Sequence, residues 1–166
     1  MSQTDFATCD LCDQYENEQP PVLQALPSVF RDFGPVARFA GPVATIRCFE
    51  DNSRVREAVN APGEGRVLVI DGGASLRRAL VGGNLALAAK QNGWAGIVVD
   101  GAVRDVAELR AAGIGVKALA LMPQRSAKRG EGERDVPVTL QGVAVRPGFW
   151  LYADEDGIVV SPRRLA

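Results

Sequence analysis

The sequence predicts an α/β protein with a central βαβαβ unit and flanking β-rich segments, and three observations carry that prediction. Two continuous apolar runs, RVLVID at 66–71 and AGIVVD at 95–100, read as strands buried on both faces, as in a covered parallel sheet. Helix-patterned segments follow each run and are closed by glycines. From residue 136 onward, short alternating runs broken at Pro147-Gly148 and Asp156-Gly157 read as antiparallel strands joined by turns. A chain of 166 residues suits one domain over 1–166, and no internal repeat or low-complexity segment divides it.

The elements follow in order. Thr4 is placed to cap a first helix over 5–15 that carries Phe6, Leu11 and Tyr15. A proline-containing connector leads to a strand holding Phe39 and, beyond Gly41-Pro42, to a second strand, ATIRCF, at 44–49. Asp51 or Asn52 starts a helix that ends near Asn60, and Pro62-Gly63 and Gly65 turn the chain into RVLVID. After DGGAS, Ser75 is expected to cap a short helix containing Leu76 and Leu80. Gly82-Gly83-Asn84 interrupts, and LALAAKQN then forms a helix closed by Gly93 in a left-handed conformation. Asp105 opens a helix through Ala112, closed by Gly113, and GVKALALMP at 115–123 is a third apolar strand. QRSAKRGEGERD at 124–135 reads as a polar, mobile loop.

Composition removes several function classes. The net charge of −1, with no concentrated basic stretch, argues against a protein that grips nucleic acid or an anionic membrane. The polar, acidic start is no signal peptide, and no apolar run approaches the roughly 18 residues of a membrane span, so a cytoplasmic protein is expected. Cys9, Cys12 and Cys48 are odd in number and read as free thiols. Cys9 and Cys12 fall on a helix, with no second such pair to complete a zinc site. There is no histidine, hence no Ser-His-Asp triad, Cys-His dyad or imidazole ligand. A bound metal must be held by oxygen, which points to Mg²⁺ or Mn²⁺. Lys90 and Lys117 have the residue type for a Schiff base, but each is read as a solvated lysine, one at a helix end and one at a strand end pointing to water.

Chemistry concentrates in VGGNLALAAKQNGWAGIVVDGAVRD at 81–105. A helix and the strand after it pack antiparallel, so the start of the helix and the end of the strand share one edge. The glycine turn is thereby brought near Arg104 and Asp105, at the edge beyond the strand C-termini where open α/β sheets place ligands. Backbone N–H groups at a helix start lack partners, and glycines let a carboxylate approach them. Asn84 can cap that helix or touch a ligand. Arg104 can hold a carboxylate through two parallel hydrogen bonds or make only a surface ion pair. Asp105 can ligate a cation, or can form a capping box with Glu108 three residues on. Asp71-Gly72-Gly73 is a weaker candidate for a second wall of the pocket.

The run VLVIDGGASLRRALVGGNLALAAKQNGWAGIVVDGAVRD, followed by GIGVKALALMP, resembles the RraA-like family, which includes the regulator of ribonuclease E activity and the 4-hydroxy-4-methyl-2-oxoglutarate aldolases. The resemblance extends from TDFATCDLCD through FEDN (49–52) to LYADEDGIVVSP. It implies an α/β/β/α swivelling-type domain in a ring-shaped homotrimer with active sites between subunits. It also implies a metal-dependent aldolase that cleaves 4-hydroxy-4-methyl-2-oxoglutarate to two pyruvates and decarboxylates oxaloacetate through the same pyruvate enolate. Carried over by position, the carboxylate of the 2-keto acid is held by Gly82, Gly83, Asn84, Leu85 and Arg104, and a divalent metal by Asp105, partly through water. The alternative within the family is a non-catalytic regulator that binds and inhibits ribonuclease E or a related RNA-degradation component. One departure stands out: the aldolase members carry Asp twenty-one residues before the Arg, where this chain has Gly83, which puts the aldol proton transfer in question more than metal binding. Purely regulatory members can lack the Asp after the Arg, and this chain keeps Asp105.

Overall fold

The computed structural model describes residues 5–166, so the Thr4 cap lies outside the described residues. Its main sheet has nine strands. A parallel core of Phe39–Arg47, Val67–Asp71, Gly96–Asp100 and Gly115–Ala118 continues on one side into antiparallel Trp150–Ala153, Ile158–Ser161 and Gln24–Ala25. The α/β class is as expected. Phe39–Arg47 joins the two halves and is one strand, where two were expected around Gly41-Pro42. Its first part, Phe39–Pro42, pairs antiparallel with Trp150–Ala153, and its second, Val43–Arg47, pairs parallel with Val67–Asp71.

The apolar runs are buried on both faces because each face has its own cover. Leu68, Ile70, Ile97, Val99 and Val116 pack under three helices, α2 (Ser53–Val59), α3 (Gly83–Gln91) and α4 (Val106–Ala111). Val67, Val69 and Val98 point the other way, against Leu140, Val145 and Leu151 from the C-terminal strands. The N-terminal helix, α1 (Thr8–Tyr15), lays Leu11 on Tyr152 and Val159. Gly93 and Gly113 take φ of +82° and +72°, the left-handed helix ends anticipated for them.

Two core strands break and run on into a second, smaller parallel sheet formed by Ala79–Val81, Ala102–Val103 and Ala120–Leu121. The predicted strand 115–123 is therefore two strands in two sheets. The short helix expected after Ser75 is absent. Gly73 and Ala74 take positive φ, the Ser75 hydroxyl donates to Glu50 at 2.8 Å, and Leu80 is drawn into the core from a strand. This second sheet forms a ledge at the C-terminal end of the parallel strands.

The segment 124–130 is not a free loop. Ala79 N–H donates to the Gln124 carbonyl (2.8 Å), and the Ser126 hydroxyl to the Ala79 carbonyl (2.7 Å). The Ala127 N–H donates to the Glu50 carbonyl, and the Ala127 carbonyl accepts the Asn52 N–H. The buried Asp51 carboxylate takes the N–H of Arg129 at 2.6 Å and of Ser53 at 2.9 Å. Farther along, Glu133–Arg134 adds a strand to Phe39–Arg47.

Candidate functional site

Chain reversal brings the two ends of residues 81–105 into contact. The N–H of Gly83 donates to Asp105 Oδ2 at 3.1 Å, and Arg104 N–H donates to the Val81 carbonyl at 3.0 Å. Helix α3 starts two residues earlier than expected, with Gly82 at the N-cap and Asn84 inside the first turn, so Asn84 is no cap. Ala86 N–H closes the first turn on the Gly82 carbonyl, leaving Gly83, Asn84 and Leu85 without intrahelical acceptors. Asp105 satisfies the first of these. Asn84 and Leu85 line the cleft.

Asp105 does not form the capping box. Its backbone is left-handed (φ +59°, ψ +50°), its side chain makes no cap to α4, and its carboxylate turns back to α3. Gly82 has no room for a side chain there: a Cβ would stand 2.6 Å from Asp105 Oδ2 and 3.4 Å from Arg104 Cγ. A Cβ on Gly83 would run into Glu108, 2.5 Å from its Cβ and closer still to Oε2. The Glu108 carboxylate of α4 thus fills the space that a side chain at position 83 would take. Arg104 is held by a hydrogen bond from Nη1 to the Pro123 carbonyl (3.3 Å), with its remaining donors free to meet a ligand.

The cleft so framed measures about 100 Å³. Besides the expected Gly82, Asn84, Leu85, Arg104 and Asp105 it is lined by Asn52 and Arg56 from the α2 end and by Arg125 and Lys128 from the pinned segment. Sequence reasoning missed those four. Arg125 and Lys128 sit in a polar run with no apolar period to signal order. Asp71 does not line the cleft; its carboxylate takes the N–H groups of Gly73 (3.0 Å) and Thr139 (3.3 Å).

No cluster of three or more Cys, Asp or Glu side chains is placed to hold a metal among the described residues. Asp105, with Glu108 beside it, fits a hard divalent ion of the Mg²⁺ type. Such an ion binds through one or two carboxylates and keeps its other positions for water and substrate oxygens.

The other nucleophiles are set apart from the cleft. Burial first, then the Asp51 and Asp71 carboxylates, push the Cys48 thiol up to about 12. Cys9 and Cys12 lie in α1 and are free. Lys117 corrects its expected place: it is buried, with Nζ on Asp32 Oδ1 at 2.7 Å and on the Asp154 carbonyl at 2.8 Å. Its strand is interior rather than ending in solvent, because Arg31–Asp32 pairs along its outer edge.

The sequence pattern of the RraA-like family, described as Aldolase/RraA, matches residues 8–160. The chain belongs to the RraA-like family. It is 58% identical over 168 residues to a protein of Albidiferax ferrireducens provisionally named 4-hydroxy-4-methyl-2-oxoglutarate aldolase, covering 96% of this chain and 97% of that protein. A relative from Burkholderia multivorans with the same provisional name is also 58% identical, over 96% of this chain and 98% of its own. Among solved structures, the RNA-processing inhibitor RraA from Thermus superposes with a TM-score of 0.91 at 52% identity, covering 98% and 96% of the two chains. A protein of Geobacillus kaustophilus described as an S-adenosylmethionine:2-dimethylmenaquinone methyltransferase gives 0.89 at 44% identity, over 96% and 97%. The fold of this RraA-like protein is therefore that of its relatives. No helix among the described residues is long and apolar enough to cross a membrane.

Proposed function

We propose that this RraA-like protein is a divalent-metal aldolase that cleaves 4-hydroxy-4-methyl-2-oxoglutarate into two pyruvates, with oxaloacetate decarboxylation as a side activity. The observation that supports it is the contact of the α3 N-terminus with Arg104 and Asp105, which gathers free N–H donors, a guanidinium and a carboxylate in one cleft.

The N–H groups of Asn84 and Leu85, with Arg104, bind the C1 carboxylate of the keto acid. Asp105 would hold a metal ion of the Mg²⁺ or Mn²⁺ type, which when bound would polarise the 2-keto group. Glu108 takes the proton of the 4-hydroxyl. The C3–C4 bond then breaks, the C4 fragment leaves as pyruvate, and the bonding pair passes to C3 and the keto oxygen as an enolate. Arg104 faces that growing negative charge and stabilises it more than the neutral ketone, which lowers the barrier. Protonation at C3 gives the second pyruvate. Decarboxylation of oxaloacetate yields the same enolate without a hydroxyl proton to remove, so it proceeds without Glu108.

The test is pyruvate release from 4-hydroxy-4-methyl-2-oxoglutarate, with Mg²⁺ or Mn²⁺ and with chelator. Turnover that chelator stops and metal restores supports the reading; no turnover above the metal-only rate on this substrate or on oxaloacetate removes it. The same reading gives the protein the homotrimeric assembly its family resemblance implies. The exposed Phe49, Leu87 and Leu121 offer apolar surface for its interfaces, and light scattering on the purified protein tests the mass. The likeness to the Thermus RNA-processing inhibitor favours a second reading, a regulator of ribonuclease E or a related component. Inhibition of that ribonuclease without keto-acid turnover would select it.

A further inference from the structure

Two sulfurs outside the cleft share one face of one helix. Cys9 and Cys12 stand three residues apart in α1, and both line a hollow of about 340 Å³ between α1 and the antiparallel end of the sheet. Both are free thiols, Cys9 exposed and Cys12 half-buried. The third cysteine, Cys48, is buried in the core with its thiol pushed up to about 12, and it takes no part.

Helix positions three apart carry their Cβ atoms about 5–6 Å from each other, and a disulfide holds them at about 4 Å. The difference is small where a helix can tighten, because residues three apart eclipse in a 3₁₀ turn. The pair spans the start of α1, where the N-cap, Ala7, adds no side-chain hydrogen bond to fix the α-helical geometry. The hollow gives the Cys12 side chain room to turn toward Cys9.

Two chemistries join sulfurs so placed, and charge chooses between them. A soft metal ion needs both as thiolates. The surroundings oppose thiolates. The Asp156 carboxylate, which accepts the Cys9 S–H at 3.6 Å, holds that thiol above its ordinary range. Burial, then the Asp13 and Asp154 carboxylates, does the same to Cys12. A disulfide is uncharged and is not repelled by those neighbours.

We propose that Cys9 and Cys12 form a reversible dithiol–disulfide pair that exchanges with low-molecular-weight disulfides, Cys9 as the attacking sulfur and Cys12 as the resolving one. The exposed Cys9 thiolate attacks a disulfide of the glutathione type, giving a mixed disulfide and one released thiolate. Cys12 then attacks the Cys9 sulfur, the mixed bond breaks, the Cys9–Cys12 bond forms and the second small thiolate leaves. Two protein thiols are oxidised, one small disulfide is reduced to two thiols, and the protons given up by the cysteines pass through water to the departing thiolates. The Cys9 S–H bond to Asp156 is lost in the oxidised form, whereas the Thr8 bonds that anchor α1 on Asp154 need no thiol.

The test treats the purified protein with oxidised glutathione, quenches with acid, alkylates the remaining thiols and reads all three cysteines by peptide mass spectrometry. The wild type is expected to gain an internal Cys9–Cys12 disulfide that dithiothreitol reverses, with Cys48 still a thiol. Because only the thiolate attacks, the rate should rise about 10-fold from pH 7 to pH 8. Cys12→Ser should stop at a mixed disulfide on Cys9, and Cys9→Ser should react at least about 10-fold more slowly than the wild type. Asp156→Asn removes the carboxylate that opposes the Cys9 thiolate and should speed the reaction about three- to tenfold at pH 7. A glutathione adduct that persists on wild-type Cys9, a disulfide linking two copies of the chain, or thiols left unmodified even at about pH 9 overturns the proposal. A rate unmoved by Asp156→Asn removes Cys9 as the attacking sulfur.

Discussion

Two of the hollows lined by charged residues use charge in opposite ways. The larger, about 340 Å³, lies between α1 and the antiparallel end of the sheet and contains Thr8, Asp32, Lys117 and Asp154. Its buried charges are closed on each other. Lys117 bonds Asp32 and the Asp154 carbonyl, and the Asp154 carboxylate takes the N–H and hydroxyl of Thr8, both at 2.7 Å, and the N–H of Asp156 at 2.9 Å. The smaller, about 100 Å³, is lined by Arg104, Asp105 and three further cations, Arg56, Arg125 and Lys128, that make no ion pair among the described residues. Of these two the first has more room, whereas charge balance chooses the second. A charge already paired has spent its field on the fold, and only an unpaired one is left to meet a ligand.

The largest expected effect separates the hollows directly. Arg104→Ala and Asp105→Ala should each lower kcat/KM for the keto-acid reaction by about 10³-fold, near 4 kcal/mol of transition-state stabilisation. Asp105→Ala should also leave the protein unresponsive to added metal. Melting temperatures should move by no more than about 3 °C, since Arg104 is half-buried and Asp105 exposed. Lys117→Met should do the opposite, lowering the melting temperature while kcat/KM stays within about twofold. Steady-state kinetics and thermal melts on the three variants decide it; an activity loss at Lys117 to match that at Arg104 would collapse the distinction.

Next in size is Asp154→Ala, which strands the N–H and hydroxyl of Thr8 at the start of α1. Orphaning several donors around a buried carboxylate should cost about 3 kcal/mol, read by urea unfolding, with kcat/KM unchanged. Acid should act by the same route. Burial alone would raise the Asp154 carboxyl, but hydrogen bonds from Thr8, Asp156 and Gly157 outweigh it and hold the group below its ordinary value. Asp51 is held down likewise: burial opposes, and the bonds from Ser53, Arg129 and Glu131 prevail. A carboxyl whose folded value lies below its unfolded one stabilises the fold fully above the unfolded value. That stability is lost as pH falls through the folded one, so unfolding free energy should drop only below about pH 4. In Asp154→Ala that acid-sensitive part should shrink.

How far these features are legible in the sequence follows from what a local pattern can encode. Two apolar strands, the glycine helix ends and the meeting of Gly82 and Gly83 with Arg104 and Asp105 are local periodicities plus one chain reversal, and the structure has them. The helix after Ser75 fails because Ala79–Val81 is drawn into a strand beside Ala102–Val103 and Ser75 is tied to Glu50, contacts of long sequence range. Arg125 and Lys128 are invisible for a related reason. Their segment is ordered by backbone bonds to Asp51, Ser53 and Ala79, and a polar run held by its backbone has the same composition as a free one. Lys117 misleads because a strand lysine reads as an edge residue until the partner strand and Asp32 are seen. Glu108 is hidden by coincidence, since its spacing from Asp105 is also that of a capping box.

Glu108 gives the third prediction. Gly83→Asp places a carboxylate where Glu108 already lies, so the single variant should lose about 10- to 30-fold in kcat for the aldol substrate from crowding and like charge. Gly83→Asp/Glu108→Ala moves the carboxylate from α4 to α3 without adding one and should recover most of that loss. Oxaloacetate decarboxylation, which needs no hydroxyl proton removed, should change little in either. A double variant as poor as the single one would show that Glu108 only fills space.

The smallest effect is expected where the two hollows use the same device. Asp51 and Asp154 are each buried carboxylates that collect N–H groups from a distant segment, one fixing the cleft's rim and the other closing the large cavity. Asn keeps the shape and one acceptor oxygen but gives up the charge that strengthens these bonds by about twofold. At Asp51 the weakened bond is to Arg129, beside Lys128, so Asp51→Asn should loosen the rim and raise KM for the dicarboxylate about three- to fivefold with kcat unchanged. At Asp154 the weakened bonds are to α1, far from the cleft, so Asp154→Asn should lower the melting temperature and leave KM alone. The pair of substitutions is chemically identical, so a KM change at Asp51 absent at Asp154 can come only from which hollow the carboxylate supports.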